Sequence, residues 1–531
     1  MNNRKVRVSK SKSTFLTAVG LCALQLGTAA LAAGDPALVR VDTGVLRGTV
    51  QGEVRSFKGV PFAAPPVGNL RWKAPQRPAV WDGIRAATEY GAWCMQPETH
   101  RALPAPTPVL PPVPNMSEDC LTLNVWAPTS TKGPKRPVMV WIHGGGFYMG
   151  SGAWPDWDGS HLVKNGVIVV TVNYRLGAFG LFAHPALSAE TNTEPVTNFA
   201  LLDVVESLMW VKRNIAAFGG DPGNVTIFGE SGGGVLVNLL MVSPLSEGLF
   251  HRAIAQSAPI GFVDRHLAQS TDRAPSAESW GQEWAKKVGV AQDLKSLRAL
   301  SADNVLANSM GMGKNTGFVI DGTSLTMSIM DAFRAGKQHK VPYMAGAADD
   351  EGGLLAFMGP TWPMLEQRLG DKRDAVLKAY DPNGNLSKDL VRQMIVGDTL
   401  MIRPSQYLSR QAAQSGPSGY SYVFAYVPES VRSMVHGAWH GAEIAYIFGT
   451  LDSRHPAHGS ATAPDIDVSQ RMRAYWTNFA RTGKPDSAGG PEWLGADRGT
   501  MVFGIDGVKF SSDYLKARME AIGPQDNPVI P

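Results

Sequence analysis

Cysteine is nearly absent from this chain, with 3 residues in 531. One of them, Cys22, falls in an N-terminal leader, which leaves Cys94 and Cys120. Two cysteines that far apart, with no CxxC pair, do not make a thiolate zinc site. Long apolar runs are scarce as well. The stretch 15–26 is mostly apolar, but it is too short to span a bilayer comfortably. A surplus of one charge sign is also missing. The formal charge of +4 is more than accounted for by Arg4, Lys5, Arg7, Lys10 and Lys12, in a leader that carries no acid. The rest of the chain is close to neutral, so nothing in it supports nucleic-acid binding.

The leader itself is informative. Its bases, its apolar stretch and Ala30-Leu31-Ala32 read as a secretory signal peptide over 1–32. Cleavage near Ala32 would release the chain to the periplasm or the medium, with no stable membrane span in the mature protein. In that oxidising compartment Cys94 and Cys120 are expected to pair, for roughly 3 kcal/mol in the chain-entropy model. Pro104, Pro106, Pro108, Pro111, Pro112 and Pro114 crowd the loop between them and exclude a helix there.

The full sequence is 44% hydrophobic; what remains after the leader, 33–531, shows no internal repeat and reads as a single domain. Residues 41–60 alternate apolar and polar positions and predict an N-terminal hairpin or small sheet. Residues 61–80 are Pro-rich and irregular. A βα rhythm then begins. The runs 138–142, 167–172 and 225–228 suit strands buried on both faces of a parallel sheet, and later strands are expected at 253–257, 341–346 and 420–427. Leu201, Val204, Val205, Leu208, Val211 and Ile215 fall at helical spacing, so 198–217 is an amphipathic helix. Further helices are expected at 235–241 and 472–482. The class is α/β, with a large, mostly parallel central sheet flanked by helices, a small N-terminal sheet, and loop and helical insertions.

Gly229-Glu230-Ser231-Gly232-Gly233 matches G-x-S-x-G between a buried strand and a helix, the setting of a nucleophile elbow. Small flanking residues are needed because the serine backbone of such a turn is strained. Upstream, His143-Gly144-Gly145-Gly146-Phe147 follows a strand. Its glycines let N–H groups approach a developing oxyanion, each donor being worth about 2.7–4 kcal/mol in the transition state. Gly232 would add another. A serine hydroxyl needs a base, and the base an orienting acid. In this context the chain order is Ser, acid, His. Asp349, Asp350 and Glu351 stand past a strand end, and spacing does not separate them. Beyond them are four histidines, His436, His440, His455 and His458.

These motifs, with Phe57-Lys-Gly-Val-Pro-Phe-Ala-Ala-Pro-Pro, Ser117-Glu-Asp-Cys-Leu-Thr-Leu-Asn, Asn173-Tyr-Arg-Leu-Gly and Phe218-Gly-Gly-Asp-Pro, resemble the type B carboxylesterases, which include cholinesterases and bacterial p-nitrobenzyl esterases. The resemblance runs from about residue 40 to 510. It implies the α/β-hydrolase fold and a Ser231, Glu351, His440 triad, since the family acid lies in an Asp-Glu-Gly turn and its base in a His-Gly element followed by Glu-Ile. It implies Gly145, Gly146 and Gly232 as the oxyanion hole, Cys94–Cys120 as the family's first disulfide, and Ser257 as a serine near the acid. Two positions depart from the pattern: Gly232 stands where the family has Ala, and Val204 where it often has Gln. Residues 95–119 contain no Phe, Tyr or Trp, so the aromatic platform that binds choline in cholinesterases is not expected there.

The expected reaction is hydrolysis of a small to medium, apolar carboxylic ester without cofactor or metal. Its acid limb would lie at roughly pH 6–7, as for an ordinary histidine. The alternatives are a catalytically silent binding protein on the same fold, or a hydrolase of amides, thioesters or lipids. The pocket is expected from insertions around 95–118, 310–330 and 355–365. There Met310, Met312, Phe318, Leu354, Phe357, Met358 and Trp362 either line an apolar cavity or belong to the core.

Overall fold

The computed structural model describes residues 35–97, 113, 115–191, 194–260, 265–272, 274–309, 317–353, 362–453, 459–486 and 489–523. The leader, the proline-rich loop at 98–112, and His455 and His458 lie outside them. Eleven strands form the main sheet: β1 (Thr49–Gln51), β2 (Val54–Pro61), β3 (Thr122–Pro128), β4 (Arg136–Ile142), β5 (Ile168–Val172), β6 (Gly220–Glu230), β7 (Arg252–Gln256), β8 (Tyr343–Ala348), β9 (Gly419–Ala425), β10 (Thr500–Gly504) and β11 (Gly507–Ser511). Their order is β11-β10-β9-β8-β7-β6-β4-β5-β3-β2-β1. From β5 to β10 every neighbour is parallel, and both flanks are antiparallel. This is the α/β-hydrolase architecture.

Side-chain alternation builds a core on each face. Along β4, Val138, Val140 and Ile142 enter one core and Met139 and Trp141 the other, as a period of two requires. On the first face lie α1 (Phe199–Asn214), α2 (Gly232–Val242) and α3 (Arg403–Ser415); on the second lies α4 (Ala463–Thr482). The helix expected at 198–217 is α1 followed by a 3-10 turn, Ile215–Phe218, closed by Gly219 at φ 92°. It is buried on nearly all sides rather than on one face. Its buried Asp203 takes three bonds from Arg175, backbone N at 3.0 Å, Nε at 2.8 Å and Nη2 at 2.6 Å, which accounts for a charge inside the core.

Some expectations needed revision. The N-terminal region divides: Leu38–Val41, Gly44–Arg47 and Ile84–Ala86 form the small sheet, while β1 and β2 join the main one. Local alternation cannot tell which sheet a strand enters. β3, β10 and β11 are not among the strands expected from the sequence. α4 starts at Ala463, nine residues before the expected 472, behind a capping box of Thr462 and Asp465. β6 begins at Gly220, with an irregular register up to Val225, because Pro222 cannot donate to the ladder. Cys94 and Cys120 are joined, their Cα atoms 5.0 Å apart. Among the described residues no helix is long and apolar enough to cross a membrane.

Candidate active site

β6 ends at Glu230 and α2 begins at Gly232, so Ser231 is the whole turn. Its backbone stands at φ 55°, ψ −123°, a conformation that a non-glycine residue keeps only when its surroundings impose it. Two bonds fix it: Ser231 N donates to Gln256 O at 2.9 Å, and Val235 N donates to Ser231 O at 2.9 Å. The flanking glycines leave no alternative. A Cβ at Gly233 would lie 2.0 Å from Ile142 O, and one at Gly229 would lie 2.7 Å from the Gly233 carbonyl. The turn is that tight because α2 must start directly over the ends of β4 and β6.

The glycine loop after β4 reaches the same point. Gly145 and Gly146 stand at φ 103° and 62°, and a Cβ at Gly145 would lie 2.1 Å from Met149 O. Gly144 sits against Ser231, its Cβ position 3.1 Å from that of the serine, and the Cβ position of Gly232 is 3.2 Å from Gly146 N. The three expected oxyanion glycines are therefore brought together beside the serine. His143 anchors the loop: its carbonyl accepts from Tyr174 OH at 2.8 Å, its ring stacks on Tyr174, and its Nδ1 meets Gly144 O at 2.8 Å. Burial pushes its pKa down to about 4, so the ring is neutral near pH 7 and can donate.

The three acids after β8 meet the segment 436–440 one after another. Asp349 Oδ1 accepts from Ala438 N at 2.7 Å. Asp350 N donates to Ala438 O at 2.9 Å. Glu351 Oε2 is 2.5 Å from His440 Nδ1, and its Oε1 accepts from Ala348 N at 2.9 Å. The buried Glu351 is thus the acid paired with His440, whereas His436 acts on Asp350. His440 Nε2 is turned to Glu230, 3.0 Å from Oε1. It is buried and completes no hydrogen bond with the described residues.

Two buried acids were not singled out from the sequence. Burial raises Glu230 to about 8, despite the lowering effect of His440, and Glu443 and Glu351 raise it further. Burial and Glu351 raise Glu443 to about 7. His440 is pulled down by burial, but the charges of Glu230 and Glu351 outweigh this and raise it to about 10. The charges of Glu230 and Glu351 thus raise His440 above the ordinary histidine on which the expected limb of roughly pH 6–7 rests. Protonating Glu230 removes one of the charges that hold His440 high. Glu230 was in view as the variable position of G-x-S-x-G, but nothing local marks it as facing the histidine.

Residues 35–515 match the family model described as "Carboxylesterase family". The chain belongs to the carboxylesterase family. It is 35% identical to a fumonisin B1 esterase of Sphingopyxis macrogoltabida over 94% of this chain and 92% of that one. It is 34% identical to the para-nitrobenzyl esterase of Bacillus subtilis, over 85% of this chain and 91% of that one. Among solved structures, a p-nitrobenzyl esterase superposes with a TM-score of 0.77 at 30% identity, covering 92% of this chain and all (100%) of that one. A Geobacillus stearothermophilus carboxylesterase gives 0.78 at 30% identity, covering 91% and 99%. This carboxylesterase is an enzyme of carboxylic ester hydrolysis.

The remaining expected site residues are placed as follows. Ser257 is fully buried at φ 46°; its N donates to Gly346 O at 2.8 Å, and its Oγ has no hydrogen-bond partner among the described residues. Phe318 is core: fully buried, it meets Phe147 edge-on at 5.0 Å and so backs the glycine loop. Trp362 packs on the cluster of Leu365, Ile395 and Val423. Met310, Met312, Leu354, Phe357 and Met358 lie outside the described residues.

Proposed function

We propose that this carboxylesterase works by two-step acyl transfer through a Ser231–His440–Glu351 triad. Ser231 Oγ bonds to the ester carbonyl carbon while its proton passes to His440 Nε2. Glu351 holds the imidazole through Nδ1 and stabilises the imidazolium. The oxyanion takes hydrogen bonds from N–H groups of Gly145, Gly146 and Gly232. The C–O bond to the alcohol breaks, and the alcohol leaves with the proton from His440. Water then attacks the acyl-serine, giving a proton to His440, and the carboxylic acid departs as Ser231 regains its hydrogen.

The observation that carries this reading is the 2.5 Å contact of Glu351 with His440 Nδ1, which leaves the other nitrogen unbonded at the elbow. The substrate class is a small to medium, apolar carboxylic ester; the relatives named as esterases support its carboxylic-ester part. The test is kcat/KM on a panel of p-nitrophenyl esters. Ser231→Ala is expected to lose on the order of 10³-fold or more. Wild-type turnover by that variant would end the reading. A folded wild type inert on the whole panel would return the chain to the silent binding role. Export follows from the leader at 1–32 and its Ala-Leu-Ala site, and N-terminal sequencing of the secreted or periplasmic protein checks it: an intact Met1 would speak against it.

A further inference from the structure

Asp349 is one of the acids that spacing cannot separate, and the structure gives it a contact different from that of Glu351. Its Oδ1 accepts from Ala438 N at 2.7 Å, two residues before His440. The adjacent Gly437 leaves room for this: a Cβ there would lie 2.5 Å from Asp349 Oδ1. Ala438 is fully buried, so its N–H has no recourse to water if the carboxylate is lost. Its carbonyl is taken by Asp350 N, and Asp350 bridges to Trp439. The histidine segment is therefore pinned to the end of β8 at each consecutive residue from 438 to 440.

We propose that Asp349 is a positioning residue for the ester hydrolysis, its carboxylate holding the Ala438 amide and through it the place of the His440 ring. The proposal rests on His440 as the base of the reaction set out above. It does not restate the triad, because Asp349 touches neither the ring nor the elbow.

The surroundings make this anchor responsive to solvent. Asp349 opens into a cleft of about 320 Å³ lined also by Arg432, Val435, His436, Lys509 and Tyr514. None of Ser231, Glu351 or His440 lines it, so the cleft stands apart from the serine. Burial raises Asp349 to about 7, against the lowering effect of the Ala438 bond; Asp350 and Asp398 raise it and Arg518 lowers it. Asp506, on the hairpin β10–β11, faces the same cleft. A carboxylate accepts a hydrogen bond more strongly than a carboxylic acid. As pH falls through neutrality the anchor therefore weakens while the backbone pairing remains.

The experiment compares Asp349→Ala and Asp349→Asn in the full chain, by steady-state hydrolysis of p-nitrophenyl butyrate across about pH 5 to 9. Asp349→Ala is expected to lose on the order of 10-fold or more in kcat with KM within about 2-fold, the signature of a displaced base rather than a damaged pocket. Asp349→Asn keeps an acceptor for Ala438 N. It is expected to restore most of kcat while changing the shape of the acid limb, because the group no longer titrates. Wild-type kcat in the Ala variant, or a loss carried by KM, would overturn the proposal. If the Ala variant fails to fold, the Asn variant decides: a wild-type acid limb in it would equally overturn the proposal. His440→Ala is run alongside. Full activity there sinks the base assignment itself, whereas an inert His440→Ala with silent Asp349 variants sinks only the positioning role.

Discussion

Ser231 and His440, the serine and base of the proposed triad, are held by opposite physical means. The serine is held by close packing of backbone. Gly233 and Gly229 leave no space for a methyl group, and the turn is closed by main-chain bonds to Gln256 and from Val235. The histidine is held by side-chain bonds and charge: Glu351 on its ring, Asp349 on its segment, Glu230 and Glu443 around it. Packing does not titrate; buried carboxylates do. The elbow should therefore respond to volume and ignore pH, and the histidine segment should do the reverse.

Three substitutions sharpen or break that contrast. The largest effect is expected from Gly233→Ala, whose Cβ would lie 2.0 Å from Ile142 O. Something must shift, and kcat/KM should fall by on the order of 10²-fold with the pH profile unmoved. A profile displaced along with the rate would mean that the elbow and the charge cluster are not separable. Next comes Glu230→Gln. The charge of Glu230 raises the pKa of His440, so removing it lowers that pKa and leaves His440 unprotonated to lower pH. The acid limb of kcat/KM should move down in pH, with kcat within about tenfold. An acid limb that stayed in place or moved up would break the comparison from the other side. The smallest effect is expected from Gly232→Ala. Its Cβ would stand 3.2 Å from Gly146 N, a contact relieved by a few tenths of an ångström. Thermal unfolding should rise, by up to about 1 kcal/mol of helix propensity, with kcat altered only a few-fold; a lower melting temperature would count against this.

Different parts of this design were legible to different depths. The elbow could be read because its constraints are local: a buried strand, a serine and glycines within a few residues of one another. The parallel strands of the sheet centre could be read as apolar runs, since both of their faces are covered. The flank strands β3, β10 and β11 could not, because what makes them strands is the neighbour they join. β1 and β2 form a hairpin, as their alternation predicts, but that this hairpin joins the main sheet is likewise decided by the neighbour it meets. Glu351 and His440 needed the family resemblance, since Asp349, Asp350 and four histidines satisfied the same chain order.

The sequence by itself determined the α/β class, the elbow at Ser231 and the glycine loop at 143–147, because each depends on contacts within a few residues. Only the tertiary structure decided which acid meets which histidine, and that Glu230 and Glu443 close around His440. Apart from that of Glu443, three residues from His440, those pairings cross tens to hundreds of residues of chain. Their energies come from burial and from charges brought near one another by the sheet, and neither exists until the sheet has formed.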